Sequence, residues 1–356
     1  MTVYFYHTQD TKRIYREWQE GTFPAHLLYG ATHLPEQGIE VILHTFPPEL
    51  PNHRLRLMWK TLWRILRCKQ KFQTVYATSF RGLELLILLR AMHLYRRPIV
   101  IWHHQPVTKA KNRLRELLAR FFYRGIDHMI FFSQNLLETS LQSKKARAER
   151  LHVVHWGADL DFYDSILAAH PADKRSGFIS TGKEQRDMNT LVEAFRREGA
   201  PLDIYINPKN GDIDYTGIFG KMDLPENIHT HFIRKLMIGE LAGIVAKAEC
   251  IAICCRPTNY TVGLTTLVEA LALGIPVICT NNTTIPIDIQ REGCGIVVDY
   301  GDVEGWQRAV RYVCEHPAEA AAMGQRGREL AQHIYNIKQT TAEVAQVLKS
   351  LPVSSV

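Results

Sequence analysis

The residues best suited to bind an anion lie in the stretch Arg256–Thr280, which follows an apolar run at Cys250–Cys255. That run is short and uncharged, as expected for a strand buried on both faces. After a loop rich in Pro, Asn, Thr and Gly, the spacing of apolar side chains predicts a helix from Leu264. A helix that begins just after Gly263 presents unpaired N–H groups, and its dipole favours an anion there. The pattern therefore predicts an anion site at the helix start.

Three side chains of this predicted helix could complete such a site. Thr265 and Thr266 would add hydroxyl donors in the first turn. Glu269 lies one turn further along, where a carboxylate could reach a diol beside a bound phosphate. The same residues would also suit an ordinary crossover helix with Glu269 in solvent, and the residue pattern leaves both interpretations open.

Two adjacent histidines, His103 and His104, mark a second candidate position. They follow a β-branched run that begins after Pro98, so they lie at the carboxyl end of a predicted strand. Ligands of open α/β sheets bind at this end of the strands. A lone histidine at a strand end is often structural instead, and both roles remain open.

Strands and helices alternate along the chain, which predicts an α/β fold with parallel sheets. The chain has 356 residues, of which 46% are hydrophobic, and this suits two domains. Residues 23–35 predict the first helix, and a small, polar, proline-bearing stretch at 165–176 is the predicted linker. We expect one domain at 1–168, a second at 169–335 and a C-terminal helix within 336–356.

The composition argues against several classes of protein. The chain has no run of about eighteen consecutive apolar residues, so it predicts no membrane-spanning helix. Its N-terminal residues lack the basic start and apolar core of a signal peptide, and we expect a cytoplasmic protein. The seven cysteines form no Cys-x-x-Cys pair and the sixteen histidines no His-Glu-x-x-His pattern, so we expect core thiols and no metal site.

Positive charge is concentrated in the first half of the chain. The net charge is +7, but residues 51–125 contain seventeen Lys and Arg residues against two acids, Glu84 and Glu116. Within this segment, 54–71 predicts a basic amphipathic helix with tryptophans, and 111–124 a second basic helix. Such helices suit the surface of an anionic membrane, while packing of the apolar stripe on its own domain is the alternative.

The stretch around Glu269 resembles the donor-binding signature of nucleotide-sugar glycosyltransferases of the GT-B fold, family 4 in particular. The residues that match Gly-x-x-x-Leu-x-Glu-Ala-x-Ala-x-Gly-x-Pro-Val-Ile are Gly263, Leu267, Glu269, Ala270, Ala272, Gly274, Pro276, Val277 and Ile278. The stretch 177–195 and the turn 156–162 resemble two further motifs of this family. The resemblance implies two Rossmann-like domains whose parallel sheets face each other across a cleft, with a C-terminal helix that crosses back to the first domain.

The resemblance also implies a reaction. A sugar would pass from a nucleoside diphosphate donor to an acceptor hydroxyl, without a required metal or further cofactor, in the assembly of a surface glycan. Lys183, Arg186 and the backbone and hydroxyl groups of 263–266 would hold the diphosphate. By position His103, or alternatively His104, would face the transferred sugar.

Two more parts of the donor are assigned by the resemblance. Glu269 would bind the ribose, and the nucleobase would lie against the backbone around 231–235. One position departs from the family pattern, because Thr261 stands where many members have a glutamate eight residues before Glu269. The donor sugar and the retention of its anomeric configuration therefore remain open.

Two other classes of protein fit parts of the same sequence. A nucleotide-sugar epimerase can share the GT-B fold and would act on the donor without an acceptor. A nucleic-acid-binding protein would account for the basic segment, but it would need an aromatic platform for the bases, and the sequence contains no recognition motif for nucleic acid. We favour the glycosyltransferase, with contact to an anionic membrane through 54–71 and 111–124 and without nucleic acid.

Overall fold

The computed structural model describes residues 1–45, 53–171, 174–234 and 236–351. Contacts within the chain divide it into two compact units. The first contains Met1–His155 and the segment that begins at Ile337, and the second contains Trp156–Asn336. Each unit has its own six-stranded sheet with helices between the strands, which confirms the predicted α/β fold class.

The first unit alternates strands and helices in a regular way. Its elements are β1 Thr2–Tyr6, α1 Thr11–Gln19, β2 Glu40–Leu43, α2 Arg54–Leu66, β3 Thr74–Ala77, α3 Glu84–Ala91, β4 Ile99–His103, α4 Arg113–Arg124, β5 His128–Phe131, α5 Gln134–Leu141 and β6 Leu151–Val153. The strands lie in the order β2-β1-β3-β4-β5-β6, and every neighbouring pair is parallel. All five residues of β4 are buried, as expected for a central strand covered on both faces.

The second unit repeats the pattern with a different strand order. Its elements are α6 Leu160–Ala169, β7 Phe178–Thr181, α7 Met188–Glu198, β8 Leu202–Ile206, β9 Lys209–Asn210, β10 Ile213–Asp214, α8 Tyr215–Phe219, β11 Ile228–Phe232, α9 Ile238–Val245, β12 Cys250–Ile253, α10 Leu264–Leu273, β13 Val277–Thr280, β14 Gly295–Val298, α11 Val303–Glu315 and α12 Pro317–His333. The parallel order is β11-β8-β7-β12-β13-β14, and β9 and β10 form a separate antiparallel pair. The direction of the winding therefore reverses between β7 and β12.

Three local predictions differ from the structure. The helix predicted at 23–35 is replaced by 3₁₀ turns at Ala25–Leu28 and Leu34–Gln37, because Tyr29 and Gly30 between them adopt positive φ. Helix α1 was not predicted, since few of its residues are apolar. Only two residues of the helix, Thr11 and Ile14, are buried. The predicted linker at 165–176 is helical up to Ala169, within α6, and its residues 172 and 173 lie outside the described ranges.

The division between the units falls at His155 instead of residue 168. Helix α6 belongs to the second unit, where it contacts α9 and α10. The C-terminal helix α13, Ile337–Lys349, belongs to the first unit, and its buried face includes Val344 and Leu348. Helix α13 therefore returns to the first unit, as predicted.

A polar contact fixes α13 to the end of β6. The Glu343 carboxylate accepts the His155 backbone N–H at 2.7 Å and lies 2.8 Å from His155 Nδ1, and the Thr340 hydroxyl donates to the His155 carbonyl at 2.7 Å. The hydrogen bond with Glu343 raises the pKa of His155. Burial opposes ionisation of Glu343, but the hydrogen bonds from His155 and Gln339 outweigh it and lower its pKa.

These shifts predict a pH dependence for the docking of α13. The His155 contribution is present below the ordinary histidine pKa and disappears as the pH rises through the raised value. The Glu343 contribution is present above the ordinary glutamate pKa and disappears as the pH falls through the lowered value. We expect Glu343→Gln to lower the free energy of unfolding more at pH 6 than at pH 8, measured by urea denaturation. Glu304→Gln, at an exposed pair with Arg308, is the control, and an equal loss at both pH values for Glu343→Gln would contradict the ion pair.

Candidate functional site

The predicted anion site lies where the winding of the second sheet reverses. The loop after β7 carries Arg186, and the loop after β12 carries Cys255, and the two residues form an antiparallel backbone bridge. In open α/β sheets the crevice outside the strand ends at such a reversal is where ligands bind. The position of Arg186 therefore follows from the strand order.

The Arg186 guanidinium is buried among neutral acceptors. The residue is 3% exposed. Its Nε donates to the Thr181 carbonyl at 3.0 Å, its Nη1 to the Glu184 carbonyl at 3.2 Å and to Cys255 Sγ at 3.3 Å, and its Nη2 to Thr266 Oγ1 at 3.2 Å. Among the described residues, no carboxylate lies within ion-pairing distance of it. Because buried charges in proteins are normally paired, this arrangement favours an anionic ligand.

The loop that carries Arg186 has little freedom. Gly182 has φ +101°, and a Cβ at this position would lie 2.2 Å from Arg186 Nη2. Gln185 also has positive φ, at 49°, which is uncommon for a residue with a side chain. The Gln185 carbonyl accepts the N–H of Arg256 at 2.8 Å, and the Tyr215 hydroxyl accepts the N–H of Arg186 at 3.0 Å. The guanidinium is therefore held in place before any ligand binds.

The start of α10 faces the same side chain. Gly263 caps the helix with φ +91°, and its carbonyl accepts the N–H of Leu267. The amides of Thr265 and Thr266 donate to no residue that the structure describes. Because Arg186 bonds the Thr266 hydroxyl, these amides and the guanidinium lie close together. The structure thus brings Arg186 and the helix start together, as the sequence predicted.

Two further predicted residues differ in their surroundings. Lys183, in the same loop as Arg186, is exposed and makes no hydrogen bond to a described residue. Glu269 is half-buried, and its carboxylate contacts the hydroxyl of Tyr163 on α6. Burial and the charge of Glu269 raise the pKa of Tyr163 well above its usual range, so the hydroxyl stays protonated and donates to the carboxylate. Tyr163 was missed in the sequence because only the three-dimensional fold places it beside Glu269.

A cavity of about 410 Å³ lies at the ends of β8 and β11, near the predicted nucleobase position. Its lining includes Tyr205 and His231, whose rings stack with centroids 4.3 Å apart and planes 13° apart. His231 Nε2 also lies 2.7 Å from an Asp203 carboxylate oxygen. Phe232, Ile233 and Arg234 complete this side of the cavity, and Lys235 lies outside the described residues.

The two histidines of the first unit have different environments. His103 is 5% exposed and lies against the rings of Phe80, Tyr123 and Phe131, and its Nε2 is buried without a hydrogen bond. Burial lowers the pKa of His103 to about 3. His104, just beyond the strand, is half-buried, and burial lowers its pKa to about 4. Both rings are neutral near pH 7. They differ in exposure, because His104 has access to solvent and His103 is buried.

Among the described residues, no group of three or more His, Cys, Asp and Glu side chains is arranged to hold a metal ion. The cysteines Cys250, Cys254, Cys255 and Cys279 are buried free thiols, as the sequence predicted.

Family comparisons match both halves of the chain. Residues 12–162 match Glycosyltransferase Family 4, and residues 226–330 match Glycosyl transferases group 1. The MMP alpha-(1->4)-mannosyltransferase of Mycolicibacterium hassiacum is 22% identical over 273 residues, which are 70% of this chain and 64% of that protein. The GDP-mannose-dependent alpha-(1-6)-phosphatidylinositol monomannoside mannosyltransferase of Mycolicibacterium smegmatis is 31% identical over 130 residues, 35% of this chain and 34% of that protein. The matches therefore span less than two-thirds of the length of these curated relatives.

Solved structures show the same fold over the whole length. The structure of HepE from Anabaena in complex with UDP-glucose has a TM-score of 0.71 at 15% identity and covers 99% of this chain and 100% of its own. Sucrose-phosphate synthase from Thermosynechococcus elongatus has a TM-score of 0.72 at 14% identity and covers 98% of each chain. At these identities the likeness establishes the fold and nothing finer.

The Arg186 site predicts that a diphosphate stabilises the folded protein. A ligand present at about 100 times its Kd adds about 2.7 kcal/mol, so pyrophosphate should raise the Tm in a thermal-shift assay. Gly182→Ala should abolish this rise, because the new Cβ would displace the guanidinium. Gly199→Ala is the matched control: Gly199 also has positive φ, at 76°, but its Cβ would meet nothing within 4 Å. Both variants should lower the Tm of the free protein, and an undiminished pyrophosphate response in Gly182→Ala would contradict the site.

Proposed function

Because this chain belongs to glycosyltransferase family 4 and has the GT-B fold, we propose that it transfers a hexosyl group from a nucleoside diphosphate sugar to an acceptor hydroxyl. The observation that carries this proposal is the buried Arg186 guanidinium, which has no described carboxylate partner and lies beside the open amides of α10. In the reaction, the bond from the anomeric carbon to the diphosphate oxygen breaks. The acceptor oxygen bonds to that carbon, and its proton passes to the departing diphosphate.

The charge change in this reaction explains why cations and amides are needed. The diphosphate gains negative charge as it leaves, so groups aimed at it stabilise the transition state more than the ground state. We assign this role to Arg186 and to the amides of Thr265 and Thr266, with the exposed Lys183 as a second cation. Glu269, held by the Tyr163 hydroxyl, is assigned to the ribose, and the cavity beside Tyr205 to the nucleobase.

We assign the sugar-facing role to His104 and not to His103. The neighbouring aromatic rings enclose His103, so a substrate could reach it only after the core opened. His104 lies after the strand and keeps a neutral ring over the physiological pH range. A neutral imidazole can hydrogen-bond a sugar hydroxyl as donor or acceptor.

The donor and the acceptor are proposed from the chemistry of the relatives. One curated relative depends on GDP-mannose, and HepE was crystallised with UDP-glucose, so GDP and UDP are the first nucleotides to test. We propose that the acceptor belongs to surface-glycan assembly, as capsule, O-antigen or lipid-linked oligosaccharide, and that transfer takes place in the cytoplasm without a metal. An epimerase of the same fold is the alternative, and it would need no acceptor.

The transferase proposal predicts the outcome of a product assay. Nucleoside diphosphate should be released rapidly only when an acceptor glycan is added, and EDTA should leave the rate unchanged. Arg186→Met should lower kcat/KM by roughly 10²- to 10³-fold, as loss of a transition-state donor does. Arg196→Met, on the exposed side of α7, is the control. Conversion of the donor without acceptor would favour the epimerase.

We further propose that the first unit binds an anionic membrane. No described helix is long and apolar enough to cross one. Helix α2 buries Met58, Leu62 and Ile65 but leaves a second apolar row outside. That row consists of large side chains that are each more than half exposed, namely Leu55, Trp59, Trp63 and Leu66. The apolar surface lies among the arginines and lysines of the same helix.

Helix α4 supports this proposal more strongly, because its apolar side faces outward. None of its residues is buried, and Leu114, Leu117 and Leu118 are each more than half exposed. Its acid faces inward instead: the Glu116 carboxylate pairs at 2.8 Å with Lys145, whose side chain is 1% exposed. The helix is thus held to its unit partly by Glu116, while these leucines face solvent. Interfacial helices bind anionic lipid by this combination of apolar area and basic residues.

The membrane proposal predicts selective binding to vesicles. The wild type should float with phosphatidylglycerol-containing vesicles at low salt, and less so with zwitterionic ones. Trp59→Ser with Trp63→Ser, and separately Leu117→Ser with Leu118→Ser, should each weaken binding by about tenfold or more, because buried apolar area is lost. Neither pair should lower the Tm, since these side chains do not pack in the core. Tyr312→Ser, exposed on the second unit, is the control, and equal flotation of all variants would argue against the surface.

A further inference from the structure

We propose that Tyr29 is a positioning residue for His104. The Tyr29 hydroxyl lies 2.8 Å from His104 Nε2, and the two rings meet edge-on with their centroids 5.9 Å apart. This inference rests on the proposed transferase, in which His104 faces the sugar. It adds a residue that no sequence motif indicates, because Tyr29 and His104 lie far apart in the chain.

Tyr29 is itself held in an unusual conformation. Its backbone has φ 53° and ψ 38°, in the left-handed region that a residue with a side chain rarely adopts. Its N–H donates to the His26 carbonyl, and its own carbonyl accepts the hydroxyl of Tyr76 at 2.6 Å. Residues held in such conformations cluster at functional sites, where the surrounding contacts enforce them.

A chain of hydrogen bonds connects this conformation to the centre of the sheet. The Trp102 indole N–H donates to the Tyr76 hydroxyl at 2.7 Å, and the Tyr76 hydroxyl donates onward to the Tyr29 carbonyl. The Tyr29 ring also lies edge-on to Trp102, with centroids 5.6 Å apart. Trp102 directly precedes the two histidines, of which His103 is the last residue of β4. The strand that leads into His104 therefore also fixes the residue that orients its ring.

The consequence for the chemistry concerns the second ring nitrogen. With Nε2 engaged by Tyr29, the nitrogen left to meet a sugar hydroxyl is His104 Nδ1, which bonds to no described residue. A neutral imidazole has one donor and one acceptor nitrogen, so Nδ1 takes the role opposite to the one that Nε2 takes toward the Tyr29 hydroxyl. Tyr29 thus fixes the plane of the ring that serves the transferred sugar and leaves Nδ1 to meet it.

A double-mutant cycle tests this proposal by transfer kinetics. Tyr29→Phe should lower kcat by about tenfold with little change in the donor KM, the effect of one lost hydrogen bond in the transition state. In the His104→Ala background the same change should alter kcat by less than about twofold, because Tyr29 acts through His104. An equal loss in both backgrounds would show a general structural effect and overturn the proposal.

A matched control exists in the same unit. Tyr4 is buried and its hydroxyl lies 2.7 Å from His44 Nδ1, so Tyr4→Phe removes a similar tyrosine–histidine hydrogen bond away from the strand end. Tyr4→Phe should leave kcat within about twofold of the wild type even where it lowers the Tm. A kcat loss as large as that of Tyr29→Phe would overturn the proposal.

The ring of His104 gives a readout that does not depend on catalysis. In protein labelled with ¹⁵N-histidine, Tyr29→Phe should shift the His104 Nε2 resonance, because that nitrogen loses its hydrogen bond, whereas Tyr4→Phe should leave the His104 resonances in place. Unchanged resonances in Tyr29→Phe would overturn the proposal. If no donor and acceptor pair supports transfer while these shifts occur, the proposed function fails and the positioning by Tyr29 stands.

Discussion

The second unit holds a buried positive charge that no described residue neutralises. Taking an ion out of water costs several kcal/mol, and proteins usually offset this cost with an opposite charge. Around Arg186 the partners are the carbonyls of Thr181 and Glu184, the Thr266 hydroxyl and the Cys255 thiol, which are all neutral groups. They fix the direction of the guanidinium but do not neutralise its charge. The charge therefore remains available to an anionic ligand.

The two ends of α10 differ in their hydrogen-bond partners, and this difference also favours an anion at the start of the helix. At the C-terminal end, the Arg175 guanidinium donates to the carbonyls of Gly274 and Leu273, and Arg328 donates to the carbonyl of Ala272. The negative end of the helix dipole is thus satisfied by two cations. At the other end the amides of Thr265 and Thr266 meet no acceptor among the described residues. A helix that is closed at its negative end and open at its positive end is prepared for an anion.

The sequence predicts a feature of the fold or the site when neighbouring residues determine it. It does not predict a feature that depends on residues far apart in the chain. The bounds of α10 follow from neighbouring residues, since Gly263 and Gly274 take positive φ at its two ends, and the sequence predicted them well. The partners of Arg186 come from separate segments and could not be read from any one of them. Tyr29 shows the same limit, because its left-handed φ, which interrupts the helix expected at 23–35, is enforced by contacts from other strands.

The orientation of one helix links the assignment of the histidine to the membrane surface. Tyr123, near the end of α4, packs against the ring of His103 and helps to enclose it. The rotation of α4 about its axis directs Tyr123 inward and brings Glu116 to the buried Lys145. The same rotation leaves Leu117 in solvent. A helix rotated to bury its leucines would lose the Glu116 pair and uncover His103. The enclosure of His103 and the exposure of the leucines are therefore two results of a single packing arrangement.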